Sequence, residues 1–476
     1  KKGQYKLGKK TGTWTYYTIL GDIEKTERYS EQTDAIDFYF QKALSYTYIN
    51  SPDLIIARRA LENTSESLVQ AQGSLYPSAS LSTSSQRSYS TNNSDFDTYT
   101  DTNTIRLTGD YNLYSSGRIS SKIKASKEAI KVAKFKLKFQ EQQILLGAIK
   151  AYLDVIRDRK LLEISKNNLM VIQEQVDATK NRFALGSATR TDLAEREAAF
   201  EAAKADLSAR EGSVTASEQI YLTRIGLVPD TNIDVPSGVQ ALPENLDEAL
   251  SLGNSQHPLI LAAQAELKQS RENYKQLRAA RGLSITISGA IQNSDSALSK
   301  GNTGNIGISA SIPIFSGGSL VSQQRQGALL MENAQVMLTK QKREIEQNIE
   351  ISWKNLQVSE ATVEARVLQV ASSGLAYDGI KREYDLGARS NLELNTAEQN
   401  FLRSRSDLAS AERDVTYAIY NLVAAIGKLT PKYLDLEISP TELELSDSVS
   451  RVDSAKQALD VDNKNPLREI VTTGKT

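Results

Sequence analysis

Arg182-Phe-Ala-Leu-Gly-Ser-Ala-Thr-Arg-Thr-Asp-Leu193 is a stretch that this sequence carries twice, the second time as Glu383-Tyr-Asp-Leu-Gly-Ala-Arg-Ser-Asn-Leu-Glu-Leu394. The central glycines, Gly186 and Gly387, lie 201 positions apart (387 − 186). The same offset continues on both sides of them and pairs Tyr114–Gly117 with Phe315–Gly318, Leu193 with Leu394, Phe200 with Phe401, and Ile225-Gly226 with Ile426-Gly427. A repeat at a fixed offset indicates that one long unit is present in two copies.

Both copies contain long stretches in which nothing interrupts a helix. No proline lies between Pro77 and Pro229 or between Pro313 and Pro431, and proline is the residue that breaks helices most strongly. The helical pattern that starts at Gly117 runs for roughly 60 residues, which corresponds to on the order of 90–100 Å of α-helix. A helix of this length cannot pack inside an ordinary globular domain.

The two central glycines are predicted to be the turns of helical hairpins. Gly186 readily adopts left-handed backbone, which ends a helix, and Thr189 or Thr191 can cap the helix that follows. Each copy is therefore predicted to contain a very long antiparallel helical hairpin, which turns at Gly186 in the first copy and at Gly387 in the second.

Two segments of alternating apolar and polar residues precede the long helix of each copy, at 78–88 and 104–114 and again at 283–292 and 305–314. Each is about ten residues long, with one apolar face and one small or polar face, as in strands of transmembrane barrels. An ordinary sheet packed on helices shows the same alternation. Four strands in matching positions, each leading into helices too long to cover a sheet, favour the membrane interpretation. Open edges are not tolerated in lipid, so the strands must be pooled between chains, eight from two chains or twelve from three.

The first long helix carries two apolar stripes with a spacing of seven residues. The stripes lie two positions apart, hence roughly 200° apart around the helix, which predicts neighbours on both sides, as in a ring of helices. Their members are Ile123, Ile130, Leu137, Ile144 and Ala151, and Ala125, Val132, Phe139, Leu146 and Leu153. In the second copy Met331, Leu338 and Ile345 keep the spacing, whereas Asn333, Lys340 and Gln347 interrupt the partner stripe.

The repeat predicts four parts of the chain. Residues 1–33 form an N-terminal extension of unclear role, in which the aromatic segment around Trp14 can form a small hairpin. Residues 34–229 and 230–430 are the two structural repeats, each read as helix, strand, strand, long helix, turn and helix. Residues 431–476 form a polar tail with no sustained periodicity.

Composition argues against several classes of function. The 57 basic and 58 acidic residues nearly balance, so no bulk charge favours nucleic acid as a partner. The absence of cysteine excludes disulfides, thiolate metal sites and cysteine nucleophiles. The single histidine, His257, precedes a proline at a helix start, where a local structural role is favoured over catalysis. Ser316-Gly317-Gly318 lacks the further glycine and lysine of a phosphate loop, so no enzyme, cofactor or metal site is predicted.

With these features together, the chain resembles the TolC-like outer-membrane efflux protein family. The resemblance covers about residues 35–430 and depends on the order and duplication of its motifs rather than on any one of them. These motifs are Phe183-Ala-Leu-Gly186 with Tyr384-Asp-Leu-Gly387, the helix start Asn50-Ser-Pro-Asp-Leu54, Leu75-Tyr-Pro77 before a strand, and Pro313-Ile-Phe-Ser-Gly-Gly318 after one.

The resemblance implies a mixed α and β membrane protein. Long antiparallel helical hairpins would form an α-barrel in the periplasm, and four transmembrane strands per chain would be pooled into a 12-stranded β-barrel of a homotrimer in the bacterial outer membrane. Such proteins are exit ducts for the efflux of drugs and small molecules or for type I secretion of proteins. They work with a periplasmic adaptor and an inner-membrane transporter of the RND or ABC type. The alternative is a soluble or periplasmic coiled-coil scaffold or adaptor, which would not need the four strands.

The same resemblance implies functional residues at the turns. A periplasmic gate would link Asp192 on the first hairpin to Tyr384 and Arg389 on the second, and Glu393 would form an acidic ring that narrows the pore. A second acidic ring would fall on Thr396, which is not acidic. A solvated helix surface is the alternative interpretation of these charges.

Two further sets of residues follow from the resemblance. The hairpin tips at Gly186 and Gly387 would dock the adaptor. The junction between barrel and tunnel would contain Gly117, Pro313, Gly317 and Gly318.

Overall fold

A computed structural model of the protein describes residues 34–91, 97–233, 235–236, 242–296 and 300–436, together with the backbone of 2–6, 9–17 and 23–29. The N-terminal segments form a three-stranded antiparallel sheet of β1 (Lys2–Lys6), β2 (Lys9–Tyr17) and β3 (Ile23–Tyr29). The predicted hairpin around Trp14 corresponds to β2 and β3, which pair with each other. The predicted tail lies outside the described residues from position 437 onward.

The described residues between 34 and 225 form four helices and two strands. In chain order they are α1 (Asp34–Asn50), α2 (Pro52–Gly73), β4 (Ser78–Thr91), β5 (Asp97–Tyr114), α3 (Arg118–Ala184) and α4 (Arg190–Ile225). The helix start predicted at Asn50-Ser-Pro is present, with Pro52 at the first helical position, where its missing N–H leaves no donor unpaired. The predicted order of helix, strands, long helix, turn and helix is therefore observed here.

Residues 246–426 repeat this order. The elements are α5 (Leu246–Gln256), α6 (Pro258–Ala279), β6 (Ser284–Ser296), β7 (Lys300–Ser311), α7 (Ser319–Asp385) and α8 (Asn391–Ile426). Both long helices have 67 residues and both helices after the turns have 36. Among the described residues, no helix is both long enough and apolar enough to cross a membrane. The boundaries of the two repeats, 34–229 and 230–430, stay predictions.

Helix α5 is not among the elements predicted from the sequence. This helix begins after Asn245, whose side chain accepts a hydrogen bond from the Glu248 N–H, and its first turn also carries Asp247. An N-cap asparagine followed by acidic residues is a helix-start signal, because both stabilise the free N–H groups of the first turn. The sequence contains this helix-start signal, but the helix that follows has only 11 residues and so shows little of the periodic pattern that predicts a helix.

The strands β4, β5, β6 and β7 form one antiparallel sheet in that order. They have 14, 18, 13 and 12 residues, so the prediction of about ten was too short. The polar residues before position 104, which lie outside the predicted strand, form the first part of β5, since Thr100 and Thr102 pair with β4. Threonine favours strands because its β-branched side chain fits the pleated surface. β7 ends at Ser311, before Pro313, which has no N–H for the ladder.

The described residues form two compact units. One contains those of Lys1–Ala57, Leu137–Pro258 and Lys342–Leu443, and the other those of Arg58–Lys136 and Leu259–Gln341. In the first unit an aromatic core surrounds Tyr152, whose ring lies 5.1 Å from the Phe40 ring and 6.2 Å from the Tyr221 ring. The second unit contains the four-stranded sheet.

Candidate functional site at the hairpin turns

The turn after α3 closes the helix with a left-handed glycine. The Ser187 N–H donates to the Arg182 carbonyl at 2.8 Å, and the Gly186 N–H donates to the Phe183 carbonyl at 3.0 Å. Gly186 has a φ of 74°, a conformation that L side chains rarely adopt. Equivalent bonds close α7 at Gly387, where φ is 77°. Both predicted helix ends are therefore confirmed.

The helix after the first turn is capped by Thr189, one of the two predicted candidates. Its hydroxyl oxygen accepts from the Asp192 N–H at 3.1 Å, and the Asp192 carboxylate accepts from the Thr189 N–H at 2.9 Å and from its hydroxyl at 2.7 Å. These hydrogen bonds, the hydroxyl first, lower the pKa of Asp192 below its ordinary value. Asp192 therefore belongs to a capping box, which pairs two of the free N–H groups at a helix start.

The second turn has the same capping box with an arginine added. The Glu393 carboxylate accepts from the Ser390 N–H at 2.9 Å and from the Ser390 hydroxyl at 2.8 Å. The Arg389 guanidinium donates to Glu393 at 2.7 Å and to Glu383 at 2.6 Å. The Ser390 N–H first, and then Arg389, lower the pKa of Glu393 to about 2. Glu393 is therefore ionised at neutral pH, and Arg389 offsets its charge.

Only two of the four predicted gate residues lie together in this chain. Arg389 binds Glu393, whereas no hydrogen bond or ion pair among the described residues joins Asp192 to Tyr384 or Arg389. The Tyr384 ring instead lies under the Arg182 guanidinium, 5.4 Å from its centroid, and Arg182 also approaches Asp385 at 3.6 Å. Asp192 is occupied by its own helix cap. A link from Asp192 to a neighbouring copy of the chain stays a prediction.

Behind the turns, the two hairpins are joined by buried polar groups that sequence reasoning missed. Arg196 on α4 and Glu398 on α8 are 1% and 5% exposed, and they approach each other at 3.5 Å. Gln175 bridges them, since it accepts from Arg196 at 2.7 Å and donates to Glu398 at 3.1 Å. Burial raises the pKa of Glu398, and the attraction of Arg196 opposes this change. Nearby, the Asn391 amide donates to Glu195 at 2.9 Å.

A signal for the buried pair was present in the sequence. Arg196 lies on the same side of α4 as Leu193, Phe200 and Ala203, which occur at helical spacing. A charged residue within an apolar stripe must find a partner, because burying an unpaired charge costs several kcal/mol. The identity of that partner, more than two hundred positions away, was not readable.

The predicted junction residues all lie where a strand passes into a long helix. Ser116 and Gly117, between β5 and α3, have φ values of 49° and 85°. The Ser116 hydroxyl donates to the Leu283 carbonyl at 2.7 Å, which ties this turn to the start of β6. Gly317 and Gly318, between β7 and α7, have φ values of 59° and 82°. Left-handed backbone at these positions explains the glycines.

His257 has the local structural role predicted for it. Its N–H caps α5 by donating to the Gly253 carbonyl at 3.0 Å, and its ring packs 6.1 Å from the Phe139 ring. The side chain is buried, and burial lowers the pKa of His257 to about 4. The backbone of Gly427 approaches so closely that a Cβ there would lie 2.9 Å from the His257 Cα.

Comparison with known proteins decides the family. The sequence profile described as outer membrane efflux protein matches residues 43–224 and 249–428. The chain belongs to this family. The family resemblance predicted from the duplicated turns is therefore confirmed, and membership makes the chain an outer-membrane protein. The family comprises channel proteins, not enzymes, and does not favour the coiled-coil scaffold alternative.

Curated members of the efflux protein family are distant in sequence. The outer membrane efflux protein BepC of Brucella suis is 28% identical over 345 residues, which cover 72% of this chain and 75% of BepC. The outer membrane protein TolC of Vibrio cholerae is 23% identical over 304 residues, 61% of this chain and 69% of that protein.

Solved structures show the shared fold. The outer membrane protein VceC of Vibrio cholerae superposes with a TM-score of 0.70 at 18% identity, over 83% of this chain and 98% of VceC. The CmeC outer membrane channel of Campylobacter jejuni superposes with a TM-score of 0.71 at 17% identity, over 86% of this chain and 89% of CmeC. This efflux protein therefore has the fold of TolC-like channels.

Proposed function

We propose that three copies of this chain form a channel-tunnel that serves as an exit duct across the outer membrane. The duct would carry drugs and other small molecules or proteins of type I secretion, together with a periplasmic adaptor and an RND- or ABC-type inner-membrane transporter. Relatives support both cargo classes: BepC is named an efflux protein, and AprF of Pseudomonas aeruginosa is named an alkaline protease secretion protein.

The observation that carries the proposal is the sheet with two open edges. β4 and β7 lie at its edges, and each is paired on one side only among the described residues. One face of the sheet is apolar: Leu81, Leu107 and Ile291 are in register across three strands, and Ile306 on β7 is 84% exposed. Edge-to-edge pairing of three copies gives twelve strands, leaves no unpaired edge and turns the apolar face toward lipid.

The long helix α7 supports the same assembly. Ten of its large apolar side chains are exposed in the single chain, among them Leu329, Val358 and Leu375. An exposed apolar surface of this extent on a soluble segment marks a contact with another protein surface. Neighbouring copies would cover it if the helices form a closed ring of twelve, four from each chain.

The turns are proposed as the gate and as the place where the adaptor docks. Leu185 and Leu386, directly before the two turn glycines, are 84% and 85% exposed and offer apolar contacts to a partner. Arg389 and its two carboxylate partners are also exposed, so a partner can exchange these bonds at little cost. In the closed duct, Arg389, Tyr384 and Asp192 of adjacent hairpins would hold the three chains together around the Glu393 ring.

Single-channel conductance tests the gate. Arg389→Gln removes the exchangeable bonds but leaves the Ser390–Glu393 cap, so it is expected to loosen the tip and raise the conductance. Asp192→Ala is expected to act in the same direction, although it also removes a cap. Arg190→Gln is the control, because Arg190 is an exposed arginine in the first turn of α4 whose side chain makes no hydrogen bond or ion pair among the described residues. Equal conductance of Arg389→Gln, Asp192→Ala and wild type would contradict the gate while leaving the channel itself intact.

A further inference from the structure

The two faces of the four-stranded sheet differ in whether their charged side chains are paired. On the apolar face the charged side chains that the structure describes form cross-strand ion pairs: Arg87 binds Asp101 through two bonds of 2.7 and 2.8 Å, and Lys300 binds Asp295 at 2.7 Å. A paired charge is tolerated near lipid, whereas an unpaired one is costly. The pairing is therefore what a membrane-facing surface requires.

The opposite face consists almost entirely of short polar side chains. Among the described residues of this face, Arg106 and Asp110 on β5 carry the only charges. The other members on β4 and β5 are Ser78, Ser80, Ser82, Ser84, Gln86, Ser88, Thr100, Thr102, Thr104, Thr108 and Asn112, and those on β6 and β7 are Ser284, Thr286, Ser288, Ala290, Gln292, Ser294, Ser296, Gly301, Thr303, Asn305, Gly307, Ser309 and Ser311.

Arg106 and Asp110 differ from the charges on the apolar face because their side chains meet no partner in the part of the chain that the structure describes. Both are exposed, and neither side chain makes a hydrogen bond or an ion pair among the described residues. In the register, Arg106 lies between Ser82 and Gln292, and Asp110 lies between Ser78 and Ser288. The guanidinium and the carboxylate therefore project from a wall of shorter polar groups, with no fixed counter-charge beside them.

We propose that Arg106 and Asp110 determine the charge selectivity of the barrel lumen. This inference rests on the proposed trimeric channel, in which three copies place three Arg106 side chains at one level and three Asp110 side chains at another. The two residues are four positions apart, which separates the levels by about 13 Å along β5. Arg106 lies nearer the end of the sheet where β4 joins β5, so solutes leaving from the helical end pass the acidic ring first and the basic ring second.

The two rings have opposite effects on a permeating ion. Three guanidinium groups raise the local concentration of anions, and three carboxylates raise that of cations. In the wild-type duct the effects offset each other. Removing one ring exposes the selectivity of the other, so the two single substitutions are expected to change selectivity in opposite directions.

Reversal potentials in planar bilayers test the proposal. Under a KCl gradient at about 0.01 M salt, where the Debye length is about 30 Å, Arg106→Gln is expected to raise the K⁺-to-Cl⁻ permeability ratio by about two- to fivefold. Asp110→Asn is expected to lower it by a similar factor, and the double variant is expected to return close to wild type. At 1 M salt, where the Debye length is about 3 Å, the differences are expected to vanish.

Controls separate this inference from the proposed function. Arg87→Gln removes an arginine from the other face of the same sheet and is expected to leave the ratio unchanged. Conducting channels whose ratio is unaffected by Arg106→Gln and Asp110→Asn would overturn the lumen assignment but not the channel. A wild-type protein without conductance would overturn the channel and, with it, this inference.

Discussion

The helices α3 and α7 have the same length and equivalent places in the two repeats, yet they differ in how many large apolar side chains they leave exposed. In α3 only Met170 and Phe183 are exposed large apolar residues, and side chains such as Leu145 and Ile149 are fully buried. In α7 the exposed large apolar residues are Val321, Leu329, Leu330, Val336, Met337, Ile351, Val358, Val367, Leu368 and Leu375. The first helix buries most of its large apolar side chains within the chain, whereas the second buries Ile345, Ile349 and Leu356 and leaves ten exposed.

The difference in exposed apolar residues is visible at positions of α3 and α7 that lie 201 residues apart in the sequence. At the offset of 201, the exposed Leu329 and Val358 of α7 correspond to Glu128 and Arg157 of α3. In the other direction, the buried Leu145 of α3 corresponds to Glu346. At these three pairs of positions, an apolar residue in one helix corresponds to a charged residue in the other. Helix length is preserved by the repeat, whereas the apolar face of each helix is set by the neighbour that it meets.

The largest effect is expected from giving α7 the residues of α3. The double variant Leu329→Glu with Val358→Arg places charges where the proposed neighbouring copies bury apolar surface, and each unpaired buried charge costs several kcal/mol. The mass of the detergent-extracted protein is expected to fall from that of three chains toward that of one. Leu329→Met with Val358→Ile is the control. A double charge variant with wild-type mass and wild-type melting temperature would show that this face of α7 is not an interface.

The opposite result is expected in α3. Leu145→Ala leaves a cavity in the core of a single chain and is expected to lower the free energy of unfolding by about 2–5 kcal/mol without changing the mass of the assembly. Met170→Ala, at one of the few exposed apolar positions of α3, is expected to change the free energy of unfolding by less than about 0.5 kcal/mol. Denaturant titration of both variants measures the difference. Equal effects at the two positions would contradict the burial assigned to α3.

The core around α3 also predicts a pH dependence. The unfolded chain protonates His257 near pH 6.5, whereas burial against Phe139 holds the pKa in the folded chain at about 4. As pH falls from 6.5 to 4 the unfolded state binds a proton that the folded state does not, so the free energy of unfolding decreases, by about 3 kcal/mol in total. Below pH 4 this contribution becomes constant. His257→Phe is expected to lack this component, and an identical pH profile in both proteins would contradict it.

The smallest effect is expected where the two repeats are alike. Gly186→Ala and Gly387→Ala each force an L side chain into left-handed backbone, with no steric contact within 4 Å, and are expected to cost about 1–2 kcal/mol apiece. Gly379→Ala, at an exposed position six residues before the end of α7, is expected to stabilise the protein by about 1 kcal/mol. Thermal unfolding compares the three variants. Clearly unequal costs at Gly186 and Gly387 would show that the turns have different surroundings.

Local rules were sufficient to predict much of the fold from the sequence. The repeat predicts both long helices, Gly186 and Gly387 predict their ends, and Thr189 is one of two residues predicted to cap the next helix, because each of these features depends on nearby residues. Strand lengths were underestimated because polar threonines pair in β5 without an apolar pattern. The capping role of Asp192 depends on a residue only three positions away and was predictable in principle. The family resemblance implies instead a link from Asp192 to Tyr384 and Arg389 on the second hairpin.

Contacts between distant segments were not predictable. Nothing in the sequence indicates that Arg196 meets Glu398 or that Arg182 lies over Tyr384, because the packing of one hairpin on the other sets these distances. The stripe interrupted by Asn333, Lys340 and Gln347 predicts a weaker version of the pattern in α3. The exposed apolar residues of α7 instead lie at other positions of that helix, so the weaker stripe reflected a different apolar face.

The most direct test of the central claim is the native mass of the detergent-extracted wild-type protein, measured on the same sample that is used for planar-bilayer conductance. The exposed face of α7 and the open edges of the sheet predict a particle of three chains that conducts. A monomer or dimer without conductance would contradict the trimeric duct and would leave both surfaces without the partner proposed here.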